Sequence, residues 1–267
     1  VTHTDSTADL LAAYDLQMRA VRPIPAPGVT YAHDGPVLRV VGRPRGFVTG
    51  PRDWGGLPGP ELDALIARQR DFFAARGESV EWKVYGYDTP ADLTDRLRAA
   101  GFVPEPTETV VIAPAGEPAV ASSVPPAGVT LRPVTDDADL DRVAALETRV
   151  WDQDLAWVAD HLRGLLAADP DGTEIYVAEA AGEIVSAAWV TFRPDTDFAM
   201  LQGGSTLAHW RGQGVYRALV SLRAARATAR GAAHVLVEAS PDSAPILARL
   251  GFRAVTTTTP YVWTPPR

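Results

Sequence analysis

Residues 202–218 read QGGSTLAHWRGQGVYRA, and the fold turns on this run. A predicted strand over 198–207 enters a short loop that holds Arg211, Gly212, Gln213 and Gly214. A long helix is predicted to follow over 215–230, with Val215, Leu219 and Leu222 as its apolar stripe. A strand, a Gly-containing loop and a helix N-terminus in that order make an anion site. The first amides of a helix have no internal partner and point outward. The helix dipole favours negative charge there. Glycines let the backbone approach a phosphate closely, and Arg211 adds a charged donor. The run is neither the dinucleotide GxGxxG pattern nor a Walker loop, because the Gly-Lys-Ser/Thr ending is missing. Taken alone, it also reads as a plain helix start with a glycine turn, so the flanking pattern has to decide.

Upstream of the run, 129–134 is a predicted strand and 136–150 a helix with Asp136 as its N-cap. A second helix is predicted over 154–167. Strands follow over 174–180 and 183–192, with Gly182 in the turn between them. Downstream come a strand over 234–238, a helix over 241–250 and a final strand over 255–263. Residues 114–128, PAGEPAVASSVPPAG, are Pro, Gly, Ala and Ser with no apolar period, which reads as a linker. Ahead of it, Leu10, Tyr14, Met18 and Val21 recur on one helix face. Strands are predicted over 37–41, 47–48, 80–85 and 109–112, and helices over 61–76 and 91–100.

The two halves end alike. Ala75-Arg76-Gly77 closes a helix in the first and Ala229-Arg230-Gly231 closes one in the second. A strand and a helix follow in each, then Gly101-Phe102 or Gly251-Phe252, with Leu97 and Leu247 at matching places. Pro114 and Pro265 each end the closing strand. This ordered set points to an internal duplication of a helix–strand–helix–strand unit.

Composition bounds the function. The chain has 267 residues, 46% of them apolar, which is enough for one large or two small cores. With 25 Lys+Arg against 33 Asp+Glu the net charge is −8, which argues against nonspecific nucleic-acid binding. There are no cysteines, so a disulfide framework, a thiolate metal site and a cysteine nucleophile are all excluded. The five histidines, His3, His33, His161, His209 and His234, are scattered without ligand spacing, and no metal is expected. Residues 1–10 lack a basic segment followed by an apolar one, so no secretory signal is expected there. No apolar run approaches the ~18 residues a membrane span needs. Arg223, Arg226 and Arg230 share a helix face and read as solvated.

With its flanking elements, the quoted run resembles the GNAT superfamily of acyl-CoA-dependent N-acyltransferases, over roughly residues 129–263. The family motif, Gln/Arg-x-x-Gly-x-Gly/Ala, stands here as Arg211-Gly-Gln-Gly214-Val-Tyr216, with Tyr216 in place of the last small residue. The resemblance implies an α+β fold: a mixed, mostly antiparallel central sheet flanked by helices, preceded by a smaller GNAT-like α/β half. It implies that Arg211, Gly212, Gln213, Gly214, Val215, Tyr216 and Arg217 hold the CoA pyrophosphate, and that Thr206 and Leu207 lie along the pantetheine arm. The first half looks like a truncated relative. Its corresponding loop, Trp54 to Pro60, lacks the motif, and Pro58 and Pro60 lack N–H groups for a phosphate cradle. One cofactor site per chain is therefore expected.

Acyl transfer to an amine requires the acceptor to lose a proton and the departing thiolate to gain one, with a donor for the tetrahedral oxyanion. A backbone N–H near Leu207 is the natural oxyanion donor. The family's usual acid, a Tyr four residues before the Gly-Phe, is Leu247 here, and its Asn is Ser240. The two positions where a Glu base often stands are Gln202 and Val235. The substitutes in the sequence are Asp152, Glu238, Ser240 and Ser243 as candidate catalytic groups, with Tyr216 as a further phenol. Each also has a structural reading as a cap, an ion-pair partner or a wall residue. Trp151, Asp152 and Trp157 lie between the two helices that cover the acceptor side in the family, and two indoles beside a carboxylate suit a cationic amine.

The sequence thus divides into a truncated GNAT-like domain over 1–113, a linker over 114–128 and a GNAT domain over 129–267. The expected activity is direct transfer, in a ternary complex, of an acetyl or other short acyl group from acetyl-CoA to the amine of a small molecule. The expected setting is a cytoplasmic monomer or homodimer without nucleic-acid or membrane partners. The competing reading is a CoA- or effector-binding module that has lost the chemistry.

Overall fold

In a computed structural model of the chain, residues 5–19, 28–57, 59–117 and 122–266 are described. The backbone divides into two compact units whose limits differ from the sequence division. The larger takes Val1–Ala20 with Val111–Val255, and the smaller takes Val21–Val110 with Thr256–Arg267. The N-terminal segment therefore belongs with the second half, and the last residues belong with the first.

In the larger unit, helix α1 (Thr7–Tyr14) opens at Ser6. The Ser6 hydroxyl accepts from the Asp9 N–H, and the Asp9 carboxylate accepts from the Ser6 N–H, so two otherwise orphaned amides are satisfied together. A wider π turn, Asp15–Arg19, continues it. Leu10, Tyr14 and Met18 form the predicted buried face; Val21 lies outside the described residues. The smaller unit begins with the antiparallel strands β1 (Thr30–Asp34), β2 (Val37–Val41) and β3 (Gly46–Thr49), of which β1 was not anticipated. Helix α2 (Gly59–Ala74), strand β4 (Val80–Tyr85), helix α3 (Leu93–Ala99) and the short β5 (Val103–Pro104) follow. Strand β6 (Glu108–Pro114) leads into the larger unit.

There the chain forms β7 (Thr130–Pro133), α4 (Asp137–Trp151), α5 (Trp157–Ala168), β8 (Thr173–Ala180), β9 (Glu183–Phe192) and β10 (Phe198–Thr206). A 3-10 turn at Ala208–Trp210 precedes α6 (Val215–Ala229), and β11 (His234–Ala239), α7 (Ala244–Arg249) and β12 (Arg253–Trp263) complete the chain. Asp136 caps α4 as predicted, its carboxylate accepting from the Asp139 N–H at 2.8 Å. The sheet of the larger unit runs β6–β11–β10–β9–β8–β7. Strands β7 to β10 pair antiparallel, and β10 pairs parallel with β11 across the α6 crossover. The sheet of the smaller unit runs β1–β2–β3–β4–β12, with β3 and β4 parallel across α2. No helix among the described residues is long and apolar enough to cross a membrane.

The matching endings read in the sequence take matching conformations. The Gly77 N–H donates to Ala74 and the Gly231 N–H to Thr228. The Phe102 N–H donates to Leu97 at 3.0 Å, and the Phe252 N–H to Leu247 at 3.1 Å. Both leucines are fully buried, and each phenylalanine enters the core of its own unit. The same helix stop thus fixes the same strand entry twice.

Candidate active site

Strand β10 carries the site because it does not stay flat. Its register against β9 shifts between Gly203 and Ser205. Both glycines of this bulge have positive φ, and both lie against rings. A methyl on Gly203 would stand 2.4 Å from the Trp189 ring, and one on Gly204 would stand 2.8 Å from the Tyr216 ring. Only glycine permits both the backbone and the packing. Beyond the bulge β10 leaves its parallel partner. The pairing with β11 covers Phe198↔His234 to Met200↔Leu236, although β10 continues to Thr206 and β11 to Ala239. The two strands therefore enclose a wedge, with unpaired backbone groups on its edges.

The N-terminus of α6 stands at the top of that wedge. Gly214 is its N-cap, with φ 91°, and no side chain caps the first turn. The amides of Val215, Tyr216 and Arg217 are accordingly left for an external acceptor. The Arg217 guanidinium folds back to Gly214 and adds positive charge at the helix start. Arg211 is exposed, but its Nε donates to the Thr206 carbonyl at 3.1 Å and so ties the loop to the end of β10. Gln213 likewise donates to the His209 carbonyl at 2.8 Å. Of the predicted cradle, Arg211 and Gln213 shape the loop, while Gly214 to Arg217 present the donors.

The corresponding place in the smaller unit is shut. There the Trp54 N–H donates to the Thr89 carbonyl at 2.8 Å, and the Thr89 N–H donates to Arg52 at 3.0 Å. The segments after β3 and β4 are thereby stitched together. Trp54 is buried against Trp82, at 5.3 Å between ring centroids. Pro60 lies in the first turn of α2, where its fixed φ favours a helix start. Pro58 lies outside the described residues.

The region 124–236 matches the family model described as "Acetyltransferase (GNAT) domain". That stretch, and not the whole chain, is similar to a GNAT acetyltransferase domain. Among solved structures, a GCN5-related N-acetyltransferase from Kribbella flavida superposes with a TM-score of 0.66 at 18% identity, over 98% of this chain and 96% of that one. A tandem GNAT protein from the clavulanic acid biosynthesis pathway, in a structure without acetyl-CoA, superposes with a TM-score of 0.64 at 16% identity, over 100% and 97%. A GCN5-related N-acetyltransferase from Sphaerobacter thermophilus gives 0.61 at 15%, over 85% and 80%. At these identities the likeness is one of fold, and the tandem neighbour fits two halves in one chain. No curated protein matches the sequence.

The remaining predicted residues are dispersed around the GNAT wedge. Leu207 is buried, and its N–H donates to the Val185 carbonyl at 3.0 Å, so it is engaged in the sheet and does not face an oxyanion. The Thr206 hydroxyl pairs with Ser186 at 2.8 Å inside the core. Asp152 closes α4 in the left-handed conformation and is exposed, as is Trp157 beside His161. Glu238 accepts from the Tyr14 phenol of α1 at 3.4 Å. Ser240 and Ser243 hydrogen-bond each other at 3.2 Å in the turn that starts α7. Tyr216 crosses the wedge: its ring lies on Gly204 of β10, and its phenol is directed toward Ser243 beyond β11. Burial raises its pKa, which keeps the phenol protonated.

Two charged residues of the site were not anticipated. Arg223, expected in solvent, is 2% exposed. Its Nη1 donates to the carbonyls of Trp189 at 3.0 Å and Gln202 at 2.9 Å, clamping β9 to β10 just before the bulge. Burial lowers its pKa to about 10. The other is Glu147 on α4, 4% exposed, with one carboxylate oxygen held by Ser205 and Trp151. Both stand inside an apolar stripe. Glu147 follows Leu140, Val143 and Ala144 at helical spacing, and Arg223 follows Val215 and Leu219. A charge at a core position of an amphipathic helix was the available signal.

Proposed function

We propose that the protein is an acyl-CoA-dependent N-acyltransferase that moves an acetyl or other short acyl group directly to the amine of a small molecule in a ternary complex. The observation that carries this reading is the open wedge between β10 and β11 beneath the uncapped start of α6, alongside its closed counterpart in the smaller unit. The residues fit the co-substrate. The amides of Val215 to Arg217 and the Arg217 guanidinium suit a pyrophosphate, and the unpaired edge of β10 suits an amide-bearing arm. Acyl-CoA supplies an activated thioester carbonyl and a thiolate leaving group.

The chain supplies the rest. Tyr216, kept protonated by burial, is the donor that would return a proton to the thiolate. It replaces the phenol absent at Leu247, which is fully buried. On the α4 side, half-exposed Trp151 with Asp152 and Trp157 forms a rim that draws in a cationic amine. A binding module without chemistry is the second reading, favoured by the apolar Leu247 and by the amide at Gln202. Calorimetry with CoA and turnover of acetyl-CoA with an amine panel separate the two. The expected result is one site per chain, lost in Gly214→Pro, with turnover. Two equal sites, or binding that survives Gly214→Pro, would contradict the assignment of the cofactor to the α6 loop. Binding without turnover on any amine supports the module.

A further inference from the structure

Among the described residues, Glu147 is a carboxylate without a cation. Its Oε2 accepts from the Ser205 hydroxyl at 2.6 Å and from the Trp151 indole N–H at 3.0 Å, and the indole also reaches Ser205 Oγ at 3.0 Å. Its Oε1 is buried and has no hydrogen-bond partner among the described residues. A purely structural carboxylate is expected to pair both oxygens, because an unsatisfied buried acceptor costs free energy. The charged groups on the elements packed around it are directed elsewhere. On α4, Arg142 pairs with Asp139 and Glu179, and Arg149 pairs with Glu183 of β9. On α5, Arg163 binds Asp137, Asp141 and Asp160, and His161 lies against Trp157. Strand β10 has no charged residue. Burial alone therefore holds the Glu147 pKa above the usual carboxylate range, against the hydroxyl and indole that lower it.

The position is as telling as the chemistry. Ser205 follows the bulge, in the stretch of β10 that has left β11. Ser205 pairs with Ala187, and Trp189 and Gln202 pair two residues further along β9. All four therefore project on one face of the sheet, the face that α4 covers. Trp151, half-exposed, lies between solvent and the carboxylate.

Resting on the acyltransferase reading, we propose that Glu147, working through Ser205, is the proton acceptor for the incoming amine, and that the acceptor class is a small primary ammonium. The ammonium gives one N–H proton to Ser205 Oγ as the Ser205 O–H proton passes to Glu147 Oε2. The products of this step are a neutral amine, an intact serine and a neutral carboxylic acid, and the acid returns its proton to water after the acylated amine leaves. Trp151 is the positioning residue, because its indole holds both relay oxygens.

The test uses the full chain and Glu147→Gln, which keeps the shape. CoA affinity is expected to stay within twofold, while turnover of acetyl-CoA with small primary amines falls by about 100-fold or more. The wild-type pH–rate profile should rise as Glu147 ionises, with its limb above the usual carboxylate range, and the variant should lose that limb. A second readout needs no turnover. Tryptophan fluorescence of the wild type, taken as a difference against Glu147→Gln, should titrate with the same group, and n-butylammonium but not n-butanol should move that titration to lower pH. CoA binding with an unmoved limb, or a titration indifferent to n-butylammonium, overturns the proposal alone. Failure of the unmodified chain to bind CoA overturns the acyltransferase reading and the proposal with it.

Discussion

Leu247 and Tyr216 divide what a single phenol would do elsewhere. Leu247 sits in the core of the larger unit with no exposure, so Leu247→Ala should cost ~2–5 kcal/mol by opening a cavity. Denaturant melts would show the loss, and kcat measured well below the new transition should hold. Tyr216→Phe should do the reverse, lowering kcat by ~10²-fold while stability changes little. A variant pair with the effects exchanged would remove Tyr216 from the proton step and leave it a packing role. These contrasts also mark what the letters conveyed. The Arg211–Gly214 loop was readable because helix starts and glycines have local signatures. Glu147 and Arg223 were not, because each depends on a distant partner and on burial that only packing creates.

At the scale of elements, the two hairpin-forming strands of the sheet show a local cost. The β8–β9 turn places Ala181 at φ 49° and Gly182 at φ 82°. A tight hairpin turn with both central residues at positive φ prefers Asn-Gly, and alanine is poorly suited to the first place. Ala181→Asn should raise stability by ~0.5–1 kcal/mol, about 1–4 °C in Tm. Calorimetric scans of the two proteins check this, and an unchanged or lower Tm would place the strain elsewhere. Helix cores and strand alternation made the elements legible: α2, β4, β8, β9 and α6 lie where the periodicity put them. Element ends were less legible, since α5 begins at Trp157 and α7 at Ala244, after turns held by Asp154 and Ser240. Strand β1 was missed because its residues alternate little in burial. The wedge could not be read at all, because strand separation is a property of pairing and not of composition.

At the scale of the molecule, several carboxylates are held below their usual range by arginines. Glu174, bound by Arg226 and Arg230 of α6 and by the Tyr176 phenol, lies at about 2. A lowered folded-state pKa gives stability that is complete above the unfolded value of ~4.3 and is lost as pH falls toward 2. Glu147 has the opposite sign: its raised pKa withdraws stability as pH rises through it. Melts from pH 2 to 7 should therefore show steep acid destabilisation, and Glu174→Gln should flatten the part below pH ~4.5. An unflattened curve would assign the acid sensitivity to other carboxylates, such as Asp139 with its two arginines. The exchange of chain ends between units also bears on synthesis. Strand β4 is made well before its neighbour β12, with which it pairs in register from Thr258↔Tyr85 to Trp263↔Val80. The smaller unit thus holds an open sheet edge until residues 256–263 have been made, and only then can its sheet close. A chain cut before Thr256 would display that edge to chaperones and proteases, however well the larger unit had formed.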